Sequence, residues 1–208
     1  AAQFVGQAAE KVYGSAGPMT NVAFNLSGEA RSWLEQVPQE TILFNDARLD
    51  RTFDIALEPE ARALVGDMVV LGRLAMGERF ETGAFADTWT LKIGGELVWC
   101  DRTGFENSEI ASAKRNTFGL DGAQAFATVL FVGPEAASVV EAVREGDVGE
   151  RAAAQGIRLG ATCLGTHALI RLMGPVPQQV RVLLGEIWTQ LRSETGGYAA
   201  RLPTLWSI

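Results

Sequence analysis

The sequence predicts a mainly β protein of the α+β kind: a layered, solenoid-like stack of short strands with two helices in its C-terminal half. Three observations predict it. Apolar side chains alternate with small or polar ones at Val22, Phe24 and Leu26, again at Phe53, Ile55 and Leu57, and again at Trp89, Leu91 and Ile93, the period of two of a strand with one buried face. Two of these segments can be laid on each other, Leu26-x-x-x-Ala30-Arg31 on Leu57-x-x-x-Ala61-Arg62. That offset of 57 − 26 = 31 sets Val22 on Phe53 and Phe24 on Ile55. A self-similar period of this size is what stacked β units produce, each layer burying the face its neighbour leaves open. Helical spacing, finally, is confined to two late segments, after Pro134 and from Pro177 onward.

The elements follow in order. The chain opens at AAQFVGQ in the pattern of a strand, and Ser27-Gly28-Glu29 and Glu58-Pro59-Glu60 supply turns at matching places. Asn45-Asp46 breaks the apolar run Ile42, Leu43, Phe44. Leu64 to Leu71 is apolar apart from Gly66 and Asp67, so a strand there is covered on both faces and Asp67 lies near the interior. Gly94-Gly95 makes a tight hairpin turn, Leu97 to Cys100 returns, and Asp101 follows. Glu106 to Gln124 is polar and irregular and reads as a loop. Ala125 to Val132 is a strand ended by Gly133-Pro134, and Glu135 to Glu145 is a helix with Val139, Val140 and Val143 on one side. Ile157 to Leu172 reads as a hairpin. Pro177 opens a second helix, to Glu194, whose stripe of Val180, Leu183, Leu184, Ile187, Trp188 and Leu191 packs on the sheet. The tail has no charge after Arg201 and is read as docked.

Composition narrows the function. The 208 residues, 47% of them hydrophobic, suffice for one domain spanning 1–208. A net charge of −7 argues against binding a phosphate backbone. Two distant cysteines, Cys100 and Cys163, make no disulfide framework and suit a reducing cytosol. No apolar run of spanning length and no signal-peptide pattern is present, so a cytoplasmic protein is expected.

Catalytic signatures are missing. His167 is the single histidine, and there is no nucleophile elbow, phosphate loop or strand-linked GxGxxG. Cys163 and His167 stand four apart, but in a Gly-broken segment and without the further ligands a metal site needs, so they read as a core cysteine and a partly exposed histidine. The carboxylates Asp67, Glu78 and Asp101 carry more information, because an ionised acid is costly to bury unless paired. One reading has Arg73 or Arg102 neutralise them. The other has them line a wet passage that holds a cation transiently.

Several motifs point further. Pro38-Gln39-Glu40 leads to an apolar strand, a polar segment, a second strand and an LGRxxxGE run at Leu71, Gly72, Arg73, Gly77 and Glu78. Before it, AAEKVYGS places Lys11, Tyr13 and Ser15 in a K-x-Y-x-S pattern, and LPTLW ends the chain with Trp206. In these features the chain resembles the urease accessory protein D family, also called UreD or UreH. It departs from the family where Gly14 and Thr204 replace arginines, which removes any ion pair those arginines make.

The resemblance implies a non-enzymatic metallochaperone scaffold that acts with UreF and the GTPase UreG on the urease apoprotein. It further implies an internal passage leading Ni2+ towards the urease site. No tightly bound cofactor is implied: Ni2+ is transient and GTP belongs to UreG. Asp67 and Asp101, then Glu78, fall on the acidic passage positions, while Lys11, Tyr13, Gln39, Arg73 and Trp206 are family-motif or partner-binding residues. The family's glycine-rich N-terminal segment is expected to precede the first residue here. The alternative is a carbohydrate-active β-solenoid enzyme using two carboxylates roughly 5 to 10 Å apart in an open groove. A plain β interaction module without a polar passage is the third possibility.

Overall fold

Successive strands pass between two facing sheets in the computed structural model of the chain, which describes residues 1–207. The large sheet has eight strands: β1 (Ala2–Val5), β2 (Glu10–Val12), β4 (Trp33–Val37), β5 (Glu40–Leu43), β7 (Arg62–Leu71), β10 (Ala125–Val132), β11 (Arg158–Cys163) and β12 (His167–Gly174). The small sheet has four: β3 (Thr20–Gly28), β6 (Arg48–Leu57), β8 (Ala84–Ile93) and β9 (Glu96–Glu106). Both are mixed. β1, β4 and β7 pair in parallel on one side, as do β3, β6 and β8 on the other. β9, β10, β12 and β11 are added antiparallel. The mainly β class therefore holds, and the layers are these two sheets.

The parallel returns are spaced differently from the sequence match. β3 pairs with β6 as Phe24 on Phe53 and Leu26 on Ile55, an offset of 53 − 24 = 29 rather than 31. The rings set this register: Phe24 stacks on Phe53 at 4.7 Å and Phe53 on Trp89 at 4.1 Å. The corners agree, since Arg31 and Glu60, also 29 apart, both take left-handed backbone, at φ 60 and 66. A slip of two residues keeps every side chain on its face, which is why the inward residues were correctly read from a wrong offset.

Four α-helices, rather than two, are present among the described residues: α1 (Ser108–Arg115), α2 (Ala136–Glu145), α3 (Asp147–Ala154) and α4 (Pro177–Gly196). α1 lies in the segment read as a loop and buries only Ile110, so it has no apolar stripe to announce it. Its end is tied down by Leu120 N–H donating to Ala113 O at 2.8 Å and Gly122 N–H to Lys114 O at 2.7 Å. α3 buries only Val148 and Ala152. No helix of the described residues is long and apolar enough to cross a membrane.

The core has three parts. α2, α3 and α4 cover the outer face of the large sheet in one apolar cluster that includes Leu64, Met68, Val129, Ile170 and Trp188. α4 is seated closely: a Cβ on Gly66 would lie 2.5 Å from the Trp188 ring, and the indole donates to the buried Glu35 carboxylate at 2.8 Å. Two further clusters fill the space between the sheets. One holds Leu49, Val69, Leu71, Phe85 and Phe105, the other Phe53, Ile55, Val65, Trp89 and Leu130.

Candidate functional site: a polar seam between the sheets

What separates those two inter-sheet clusters is a row of polar side chains. Along β6 the inward positions run Leu49, Arg51, Phe53; along β7, Val65, Asp67, Val69; along β8, Phe85, Asp87, Trp89; along β10, Phe126, Thr128, Leu130. In each strand one polar residue interrupts the apolar alternation. Register brings the interruptions to one level, with Asp67 beside Thr128 and Thr128 beside Arg171 on the large sheet. On the small sheet Arg51 lies beside Asp87, and Asp87 beside Thr103.

At the centre stands Arg51, 1% exposed, between Asp67 of the facing sheet and Asp87 of its own, both 6% exposed. Every N–H of its guanidinium is used. Nε donates to Asp87 Oδ1 at 3.1 Å and Nη2 to Asp87 Oδ2 at 3.1 Å. Nη1 donates to Asp67 Oδ1 at 2.8 Å and to the Thr41 hydroxyl at 2.8 Å, and Nη2 also donates to Asp67 Oδ2. Trp89 Nε1 completes Asp87 with a 3.0 Å bond to Oδ2. One guanidinium thus neutralises two buried carboxylates incompletely, leaving a net negative charge in a place of low dielectric. Burial raises the Asp67 carboxyl to about 6, against the pull of Arg51 and with the Asp87 charge adding to the rise. Arg51 itself is raised further above its ordinary value, the two carboxylates outweighing the effect of burial.

Cavities lie at both ends of this triad. One of about 210 Å³ is lined by Arg51, Asp67, Gln36, Gln39, Thr41 and Phe24. The other, of about 280 Å³, is lined by Asp87, Asp101, Thr103, Thr128, Arg171 and Phe118, among others. Asp101 sits at the second cavity in β9 and pairs with Arg171 at 2.5 Å. Asp67 and Asp101 therefore belong to one seam, although each has an arginine. The partners are Arg51 and Arg171, not Arg73 or Arg102, and Arg102 donates to the Thr88 hydroxyl at 2.6 Å.

Glu78 is elsewhere. It pairs with Arg73 and accepts from Asn45 N–H at 3.1 Å, and the Arg73 hydrogen bond holds its carboxyl below the usual range. Gly72 and Gly77 take φ 93 and 74 around the short 3-10 turn Leu74–Met76, so the LGRxxxGE run is a closed surface turn. Arg73 also lies over the Phe44 ring at 4.3 Å, and Tyr13 meets that ring edge-on at 4.7 Å. Lys11 is exposed in β2, paired with Ile42. A Cβ at Gly14 would come within 2.6 Å of Asn45 O, so this backbone approaches more closely than an arginine there would allow.

Gln39 and Trp206 meet at α4. Gln39 donates to Leu205 O at 3.0 Å and accepts from Arg181 at 3.3 Å, and Arg181 lies 4.3 Å over the Trp206 ring, which is 8% exposed. Cys163 donates to Gly165 O, and His167 is 1% exposed with Nε2 unpartnered, so the histidine is more deeply placed than its spacing suggested.

Arg51, Asp87, Thr128 and Arg171 were missed from sequence. The signal was there for three of them: Arg51, Asp87 and Thr128 are each a lone polar residue in an otherwise apolar inward series, while Arg171 shares its face of β12 with His167, and only register shows that the four share one level.

Together these features define a two-sheet β protein with three helices against one face and a charged seam through its interior, and the motifs of the turn and the tail identify its kind. The family model described as UreD urease accessory protein matches residues 1–207. The urease accessory protein UreD of Magnetococcus marinus is 37% identical over 202 residues, covering 97% of this chain and 69% of that protein. That of Granulibacter bethesdensis is 36% identical over 199 residues, covering 96% and 80%. UreD 1 of Brucella anthropi is 34% identical over 206 residues, covering 97% and 69%. The chain belongs to the UreD urease accessory protein family.

Proposed function

We propose that the chain is a non-enzymatic metallochaperone scaffold of the cytoplasm that joins UreF and UreG to the urease apoprotein and guides Ni2+ into it through the polar seam. The observation that carries this reading is the seam itself: polar side chains from six strands at one level, running from the cavity beside Asp67 to the cavity beside Asp101. Such a row is costly in a β core, and packing alone favours apolar residues there. Its ligands are oxygens. Carboxylate, hydroxyl and amide oxygens hold Ni2+ less tightly than thiolate or imidazole, which suits an ion that must be released. GTP is left to UreG.

The carbohydrate-enzyme alternative requires two carboxylates free to act on a substrate in an open groove. Asp67, Asp101 and Glu78 each face an arginine instead.

The test is the double variant Asp67→Asn with Asp101→Asn, co-expressed with UreF, UreG and urease under limiting nickel. The expected result is co-purification with UreF at the wild-type level and urease activation lowered several-fold. Undiminished activation would remove these residues from the route.

A further inference from the structure

We propose that Arg51 is the gate of this route: its guanidinium bars the seam at rest, and a divalent cation passes only by displacing it from Asp67 and Asp87. The inference rests on the reading of the seam as a cation route, and it assigns the regulation of that route to one side chain. Two observations support it, the place of the side chain and the space beside it. Arg51 lies between the cavities, touching Asp67, which lines the first, and Asp87, which lines the second. The guanidinium is bonded to both carboxylates, so a cation drawn by the net negative charge of the triad must compete with it for their oxygens.

The exchange moves charge: Arg51 carries one positive charge against the two negative ones of Asp67 and Asp87, a divalent cation neutralises the same two carboxylates, and the displaced guanidinium takes its own charge to the adjoining cavity. The side chain also has somewhere to go. The Phe53 and Phe85 rings lie 5.1 and 6.0 Å from its guanidinium carbon, and the cavity of about 210 Å³ opens beside it, lined by Gln36, Gln39 and Thr41, whose oxygens can accept its N–H groups. A tethered competitor of this kind keeps occupancy brief, because the guanidinium returns as soon as the ion moves on. Arg171 on Asp101 is the lesser counterpart at the outer cavity, more exposed and held to one carboxylate.

The experiment measures Ni2+ binding by the purified chain with equilibrium dialysis, for wild type, Arg51→Gln and Arg51→Lys. Glutamine removes the competing charge. Lysine keeps it but, as a single ammonium, cannot fork across both carboxylates. The expected result is Ni2+ held at least about tenfold more tightly by Arg51→Gln than by wild type, with Arg51→Lys between them. Adding Asp87→Asn to either should abolish the gain. Equal affinity in wild type and the folded variants would overturn the proposal. If Arg51→Gln does not fold, Arg51→Lys decides by the same criterion. This readout needs no urease, so a gate that fails here is distinguishable from a route that fails in the Asp67→Asn, Asp101→Asn activation assay.

Discussion

Arg51 shows how much one side chain in a β core can hold together. Its five N–H groups are all spent on Asp67, Asp87 and Thr41, so removing Asp87 leaves Asp67 to balance the charge but strands Arg51 Nε and Trp89 Nε1 without an acceptor. A buried donor left unpaired costs about 1–3 kcal/mol, and Asp87→Ala should lower the urea midpoint accordingly in equilibrium unfolding. Acidity acts on two buried groups with opposite signs. The Asp67 carboxyl is raised from 3.8 to about 6 in the folded chain, so the folded state binds the extra proton. Its contribution is present below the unfolded value and is lost as pH rises through about 6. Burial lowers His167 from 6.5, so the unfolded state takes up the proton first and stability falls as pH drops below that value. Relative to Asp67→Asn, the wild type should lose stability between about pH 4 and about pH 6. Relative to His167→Phe it should lose stability as pH falls below 6.5. Denaturant titrations across that range check both.

At the scale of the element, what could be read from the sequence was set by how many faces each segment buries. β6, the second half of β8 and α4 bury one face in regular period and were placed with their turns. β7 buries both faces, and its apolar run was still distinct because Gly66 and Asp67 alone interrupt it. α1 and α3, with one and two buried residues, carry too little apolar pattern to be seen and are held by neighbours rather than by their own stripe. Gly66, one of the two breaks in the apolar run, is the seat of α4, where any Cβ meets the Trp188 ring. Gly66→Ala should therefore destabilise the chain by roughly 1–3 kcal/mol through overpacking. Thermal unfolding measures that, and Trp188 fluorescence should report the displaced ring.

Across the whole molecule, the seam is a property of register and not of any segment. Asp67 was legible as a buried acid in an apolar strand, and Asp101 as an acid at the end of another. Their link runs through Arg171, which the pairing of β7 with β10 and β10 with β12 brings to the level of Asp67 and which pairs with Asp101. The repeat offset relates β3 to β6 alone, and Arg51 and Asp87 stand 87 − 51 = 36 apart on β6 and β8, so no form of that offset aligns them. The motif residues converge in the same way: Tyr13, Arg73 and Glu78 gather around Phe44 and Asn45, and Gln39 with Trp206 around Arg181. The first cluster stands apart from the seam, whereas Gln39 of the second also lines the cavity beside Asp67.

The most direct measurement of the route is the nickel content of urease recovered from cells carrying the Asp67→Asn, Asp101→Asn chain, at equal yield of the complex with UreF. The account predicts urease with markedly less nickel per active site than the wild-type chain delivers. Urease filled to the wild-type level would contradict it.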